Sequence, residues 1–201
     1  MSIKILLISF LLSAGFFQKK KFIHNEVYSE KNTFSVIVLT ETQGYVHHEA
    51  IKEGVELIKR LGKKNQFNVT HTNSSEYLSE TELKKSDVLI FLCTTLDVLD
   101  DNEQERMKNF IRNGKGFVGI HSATDTEYNW EWYGKLVGAY FLDHPEIQEA
   151  KIETINKEHI STRHLEDIWE IEDEWYNFKD FNPNINELLN LDEKSYSGGK
   201  N

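Results

Sequence analysis

The run Val88-Leu89-Ile90-Phe91-Leu92-Cys93, entered from Asp87, carries no polar residue on either of its alternating faces. A strand that is apolar on both faces has to be covered on both sides, which is the situation of a parallel strand inside an α/β layer. Its surroundings repeat the same logic. Phe34–Thr40 reads as a first buried strand. His48–Leu61 reads as a helix with Ile51, Val55 and Ile58 on one face, stopped by Gly62. Phe67–Thr72 is a second strand and Asp87–Cys93 a third. Asp100 or Asp101 caps a helix that runs through Arg112, turns Met107, Phe110 and Ile111 inward, and ends at Gly114. Gly116–Ile120 is the fourth strand. Strands and helices in alternation predict a doubly wound parallel sheet.

The fourth strand runs directly into His121-Ser122-Ala123-Thr124-Asp125. Ligands of open α/β sheets bind just beyond the carboxyl ends of the strands, so His121 stands where chemistry is done. A strand-to-helix elbow usually presents a nucleophile. An imidazole there acts instead as a base, a proton shuttle or a metal ligand. The loop after the first strand offers Thr40, Glu41, Tyr45, His47 and His48. The loop after the third offers Thr94, Thr95 and Asp97. The loop after the fourth offers His121, Ser122, Thr124 and Asp125. The topology predicts that these loops meet at one rim.

Each candidate has an ordinary alternative. His121 could be a neutral core imidazole, Asp125 a helix or turn cap, and Asp97 a turn residue. Thr94 and Thr95 could satisfy backbone groups at a strand end. Tyr128, Trp130, Trp132 and Tyr133 suit sugar stacking, with core packing the expectation for at least two of them. Glu174, in Asp173-Glu174-Trp175-Tyr176, either aims a carboxylate at the pocket or lies on a solvated face. His144 and His159 lack a tight metal-ligand spacing.

Composition closes off other classes. The chain of 201 residues is 39% hydrophobic and 12% aromatic, as a globular α/β domain should be. Its net charge is -10, and four lysines precede Glu26; the 19 basic and 33 acidic residues that remain give about -14. No basic patch for nucleic acid is expected on such a surface. Cys93 is the one cysteine, which rules out an intrachain disulfide and a cysteine zinc cluster, and its apolar run marks it as a buried strand residue. The apolar stretch 5–17 after Lys4, within residues 1–22, reads as a signal peptide for a periplasmic or secreted protein, with an uncleaved N-terminal membrane anchor as the alternative. After about Ala150 the pattern changes: Lys151–Asn156 alternates as a half-exposed strand, Ile168–Phe181 is aromatic and acidic, and Leu188–Leu191 is a short strand. This part reads as an insertion or cap.

The block Gly116–Asp125, continued by Thr126-Glu127-Tyr128, Trp130, Trp132–Phe141 and His144-Pro145, resembles the ThuA-like (trehalose utilisation) family. Gly44-Tyr45 with His47, Thr94-Thr95 with Asp97, Asp173–Tyr176 and Leu191–Glu193 with Tyr196–Gly199 extend the resemblance over about Phe34 to Asn201. That family is similar to class I glutamine amidotransferases with the elbow cysteine replaced, here by His121. The resemblance implies a flavodoxin-like sheet, no amidotransferase activity, and a role in trehalose or keto-glycoside utilisation. The expected partner is a small-molecule sugar, and a homo-oligomer is left open. The implied catalytic set is His121, Asp125 and His47. Thr94, Thr95, Asp97, Tyr128, Trp132 and Glu174 would contact substrate, and His47, His121 and His144 would hold a divalent metal such as zinc. Ile160 replaces a proline usual in the family, and Val46 a common arginine. Family members also continue beyond Asn201, so the domain over residues 30–201 is expected to be C-terminally truncated and to lack its last core strand. Three readings remain: a sugar-processing enzyme, a non-catalytic carbohydrate-binding module, or an inactive truncated copy.

Overall fold

Four short strands, β1 (Ser35–Leu39), β2 (Asn68–Thr72), β3 (Val88–Leu92) and β4 (Gly116–Ile120), pair in parallel in the order β2-β1-β3-β4. This is the flavodoxin-like winding, in which the order reverses between β1 and β3. The computed structural model describes residues 34–200. The expected signal peptide or anchor at 1–22 lies outside the described residues. Among the described residues no helix is long and apolar enough to cross a membrane.

Register keeps like faces together. Val38 pairs with Ile90, and Ile90 with Val118; Ile37 pairs with Leu89, and Leu89 with Phe117. Val36, Val38, Ile90 and Leu92 form one buried face under Val55 and Ile58 of α1 (His48–Asn65). Ile37, Leu39, Leu89 and Phe91 form the other. That second face meets Leu83 of α2 (Glu80–Lys84), Met107 and Phe110 of α3 (Asp101–Arg112), and Tyr133 of α4 (Glu131–Val137). Removing each such side chain from water contributes about 1.5–3 kcal/mol, which is why the sheet needs both helical layers.

The helix ends follow local chemistry. Asp100 caps α3 by accepting from the Glu103 N–H, and the Glu103 side chain returns the bond to the Asp100 N–H. Gly62 does not stop α1 as expected. The helix continues to Asn65 and is ended by Gln66 in the left-handed region. Gly62 is instead a point of close approach: a Cβ there would lie 2.7 Å from Val69 Cγ2 and 2.8 Å from the Phe67 carbonyl.

Beyond β4 the chain builds antiparallel structure. β5 (Tyr140–Asp143) pairs with β8 (Asn177–Lys179). β6 (Gln148–Thr154) lies between β7 (Ile168–Asp173) and β9 (Leu189–Leu191). The strand expected over Lys151–Asn156 is thus shifted toward Gln148, because Ala150 is the residue that it buries. The aromatic and acidic stretch splits into β7 and β8. The link between them, Glu174-Trp175-Tyr176, belongs to neither sheet. Among the described residues only β3 pairs with β4, whose Val118 and Ile120 are 43% and 38% exposed.

Candidate functional site

The three loops meet as topology predicts. An isolated parallel bridge joins Thr42 to Thr95 and another joins Leu96 to Thr126, so the loops after β1, β3 and β4 are tied in sequence. Thr95 is fully buried; its hydroxyl accepts from the Gly44 N–H at 3.0 Å and donates to the Tyr45 carbonyl at 3.3 Å. The elbow after β4 is pinned from below. Ser122 donates to the Thr94 carbonyl at 3.0 Å, and Tyr133 donates to the Ala123 carbonyl at 2.7 Å. These bonds hold the His121 backbone while leaving its side chain one-third exposed.

Around the His121 ring, the Tyr176 hydroxyl oxygen lies 3.0 Å from Nε2 and a Glu174 carboxylate oxygen 3.5 Å from the same atom. The His47 ring, at the N-cap of α1, packs edge-on with centroids 4.5 Å apart, and Tyr45 packs edge-on against His47 at 4.7 Å. Among the described residues no protein group is bonded to His121 Nδ1. His121, Glu174, Trp175, Tyr176 and Phe178 line a cavity of about 510 Å³ together with Thr124, β4 and α4. The lining is mostly apolar, with His121, Thr124, Glu174 and Tyr176 supplying its polar side chains, the pattern of small-molecule sites.

Electrostatics fixes the protonation states. Burial, and then the neighbouring His47, hold the His121 pKa below its ordinary value, against the opposing pull of Glu174 and Asp173. The imidazole is therefore neutral at pH 7. Burial and then Glu174 and Asp125 push the Tyr176 phenol up, so that it keeps its proton. Cys93, in the left-handed region at the end of β3, is buried, and burial pushes its thiol up to about 11. It is protonated and no nucleophile.

The expected residues separate into two groups. His121, His47 and Glu174 come together. Asp125 does not touch the His121 ring; it accepts a hydrogen bond from the Tyr128 hydroxyl and acts on the centre through its charge on Tyr176. Thr94 is buried, with its hydroxyl 2.9 Å from that of Thr126, and neither Thr94 nor Thr95 lines the cavity. Asp97 is exposed, at 3.5 Å from the Asn129 amide. The Tyr128 ring lies under the Lys179 ammonium, outside this cavity. Trp132 packs at a tilt against Trp130, with centroids 4.9 Å apart, and against the core around Tyr133. Topology brings loops to one rim, but whether a loop side chain points outward or spends its hydrogen bonds inside is decided by local packing.

Nothing in the sequence around Tyr176 assigns it a role. Its neighbour Glu174 was legible as part of an acidic-aromatic cluster. The bond from Tyr176 to His121 spans 55 positions and depends on the pairing of β5 with β8, for which the sequence carries no local sign.

The three-histidine metal set does not form. His144 is exposed, with Nδ1 2.8 Å from the Pro145 carbonyl oxygen, and its ring stacks on Tyr176 at 6.0 Å. His47 and His121 meet edge-on. Among the described residues no three His, Cys, Asp or Glu side chains are grouped to hold a metal ion. The donor set does not fit a zinc site, which needs at least three protein ligands.

The family model described as ThuA, trehalose utilisation, matches residues 35–201. Among solved structures the chain is similar to a ThuA-like protein from Bacteroides uniformis ATCC 8492, at 24% identity and a TM-score of 0.72, over 83% of this chain and 71% of that one. It is also similar to a ThuA-like protein from Parabacteroides merdae ATCC 43184, at 15% identity and a TM-score of 0.67, over 81% and 70%. At these identities the likeness concerns the fold. No curated protein matches the sequence.

Proposed function

Because the chain belongs to the ThuA, trehalose utilisation, family, we propose that it is a sugar-processing protein of trehalose or keto-glycoside utilisation whose reaction centre is His121. One observation carries this reading: a neutral imidazole, with a phenol and a carboxylate at Nε2 and, among the described residues, no protein partner at Nδ1, opens into a cavity with an aromatic wall. The Glu174 carboxylate favours the tautomer with the proton on Nε2. The Nδ1 lone pair is then free to take a proton from a sugar hydroxyl, or from a carbon beside a keto group. Burial, and then the neighbouring His47, favour the uncharged imidazole, and His47 supplies a second base within reach. Trp175 and Phe178 give the hydrophobic side of a sugar ring a surface.

The test is His121→Ala, assayed with trehalose and with a 3-keto-glucoside as candidate substrates. Turnover falls by about 10²-fold or more, as expected for loss of a general base, while the melting transition stays cooperative. Equal turnover in the variant sinks the proposal. The aromatic wall also favours a second reading, a carbohydrate-binding module. Calorimetric sugar binding, with no product from either sugar in the unmodified protein, would select it. The apolar stretch 5–17 supports export, which cell fractionation tests.

A further inference from the structure

At Tyr128 the elbow after β4 meets both β5 and β8. The Tyr128 hydroxyl donates a hydrogen bond to Asp125 Oδ1. The same hydroxyl oxygen lies 3.1 Å from the Phe141 carbonyl oxygen of β5. The Lys179 ammonium of β8 stands 4.7 Å from the centre of the ring, where the π face attracts a cation. A phenol has one hydrogen, so the two oxygens share it unequally, and the charged carboxylate takes the stronger share.

Both ends of this bridge bear on the reaction centre. On one side Asp125 is fixed in the turn that carries His121: its N–H donates to the Ser122 carbonyl at 2.7 Å, and its carbonyl accepts from the Leu96 N–H at 2.7 Å. On the other side Phe141 gives its carbonyl to Tyr128 and its ring to Tyr176, with centroids 4.3 Å apart. Tyr140, next along β5, ties that strand to the core independently by donating to the Glu127 and Trp130 carbonyls at 3.0 and 2.7 Å. The β5–β8 pair therefore stays on the core without the Tyr128 hydroxyl. What the hydroxyl adds is the setting of that pair against the elbow.

We infer that Tyr128 is a positioning residue of the His121 centre: through Asp125 on one side and β5 and β8 on the other, it sets how closely Tyr176 approaches the imidazole. Given His121 as the reaction centre, on which this role rests, Tyr128 acts at one remove. Its ring lies outside the cavity, and its effect on the reaction passes through Tyr176. The geometry is sensitive to small shifts. At 3.0 Å the bond from Tyr176 to His121 Nε2 is well formed. At about 3.6 Å such a contact is no longer a hydrogen bond, so a displacement of about half an ångström decides whether it is made.

Tyr128→Phe tests this on the full chain, since it keeps the ring and removes the hydroxyl. Two measurements read it. The first is the nuclear magnetic resonance signal of the His121 Cε1 proton, identified by its loss in His121→Ala. That signal carries the ring-current shift of Tyr176, whose centroid lies 4.8 Å from that of the imidazole. Tyr128→Phe moves it toward its position in Tyr176→Ala. The second is a double-mutant cycle on kcat. Tyr176→Phe costs about fivefold in the parent and less than about twofold in the Tyr128→Phe background, because a hydroxyl already displaced has little left to lose. A Tyr128 that only stabilises the fold would lower the melting temperature, leave the signal in place and give losses that multiply. An unmoved signal therefore overturns the inference, and so does the full fivefold loss in both backgrounds. A moved signal with no turnover of either sugar removes the function proposed for His121 and leaves the role of Tyr128 standing. Should Tyr128→Phe fail to fold, Asp125 decides. Asp125→Asn still offers an oxygen to the hydroxyl and keeps the signal in place, whereas Asp125→Ala moves it; equal behaviour of the two overturns the inference.

Discussion

The Tyr176 hydroxyl reaches His121 Nε2 at 3.0 Å although 55 positions separate the two residues. Their rings are also in contact, with centroids 4.8 Å apart. This pair joins the parallel sheet to the antiparallel part of the molecule and engages Nε2 of the imidazole. Removing the hydroxyl while keeping the ring isolates that contribution. Tyr176→Phe loses a hydrogen bond of about 1 kcal/mol, so kcat falls about fivefold with KM little changed. An unaltered kcat would show that Tyr176 merely packs against the imidazole.

Acid should weaken both activity and fold through the same group. Burial lowers the His121 pKa in the folded state, and burial also lowers that of His71. Between each lowered value and the unfolded value of about 6.5, the unfolded chain binds more protons, so stability rises with pH there. The stabilisation is complete above about pH 6.5 and is lost as pH falls through the folded pKa values. The acid limb of turnover should accordingly have its midpoint below about 6.5. Replacing His121 by Ala should flatten part of the stability profile over that window, as read by urea titration at a series of pH values. A midpoint above 6.5 would contradict a neutral buried base.

Glu127 is buried at 1% exposure and holds the loop after β3 in place. One carboxylate oxygen accepts from the N–H groups of Val98 and Leu99 at 2.9 and 2.8 Å, and the other from the Gln104 amide at 2.7 Å. Burial raises its pKa, against those three bonds. Glu127→Ala strands two buried backbone donors and should destabilise the fold by about 3 kcal/mol. Denaturant unfolding measures it, and a loss below about 1 kcal/mol would mean that the loop finds other partners.

Gly134 lets α4 lie directly on Tyr140, since a Cβ there would fall 2.5 Å from the ring. Tyr140 in turn donates to the Trp130 carbonyl at 2.7 Å. Gly134→Ala improves helix propensity yet overpacks this contact, with a net cost of about 2 kcal/mol. A variant as stable as the parent would show that the ring can move aside.

What the sequence discloses follows the range of the forces involved. β1 and β3 are visible as apolar runs because parallel strands inside the layer are buried on both faces, β4 is visible as an apolar run although it is only partly covered, and α3 is visible because its cap and inward residues are all local. α2 and α4, short and held by tertiary contacts, leave no periodic trace. Gly62 has the composition of a helix stop, and only the crossing with β2 turns it into a contact point. In the site, His121 and His47 are legible from their loops. Thr94, Thr95 and Trp132 look equally functional in sequence, but their fate depends on which way a buried turn faces. The pairing of β5 with β8, which delivers Tyr176, is a long-range event with no local signature.

Glu174 and Tyr176 sit on the only stretch between β7 and β8, outside both antiparallel sheets. The imidazole is thus furnished by the doubly wound layer but tuned by a link from the antiparallel part, which Tyr140 of β5 ties into the same core. A substitution that loosens the pairing of β5 with β8 should therefore carry Tyr176 away from the imidazole while the parallel sheet keeps its register.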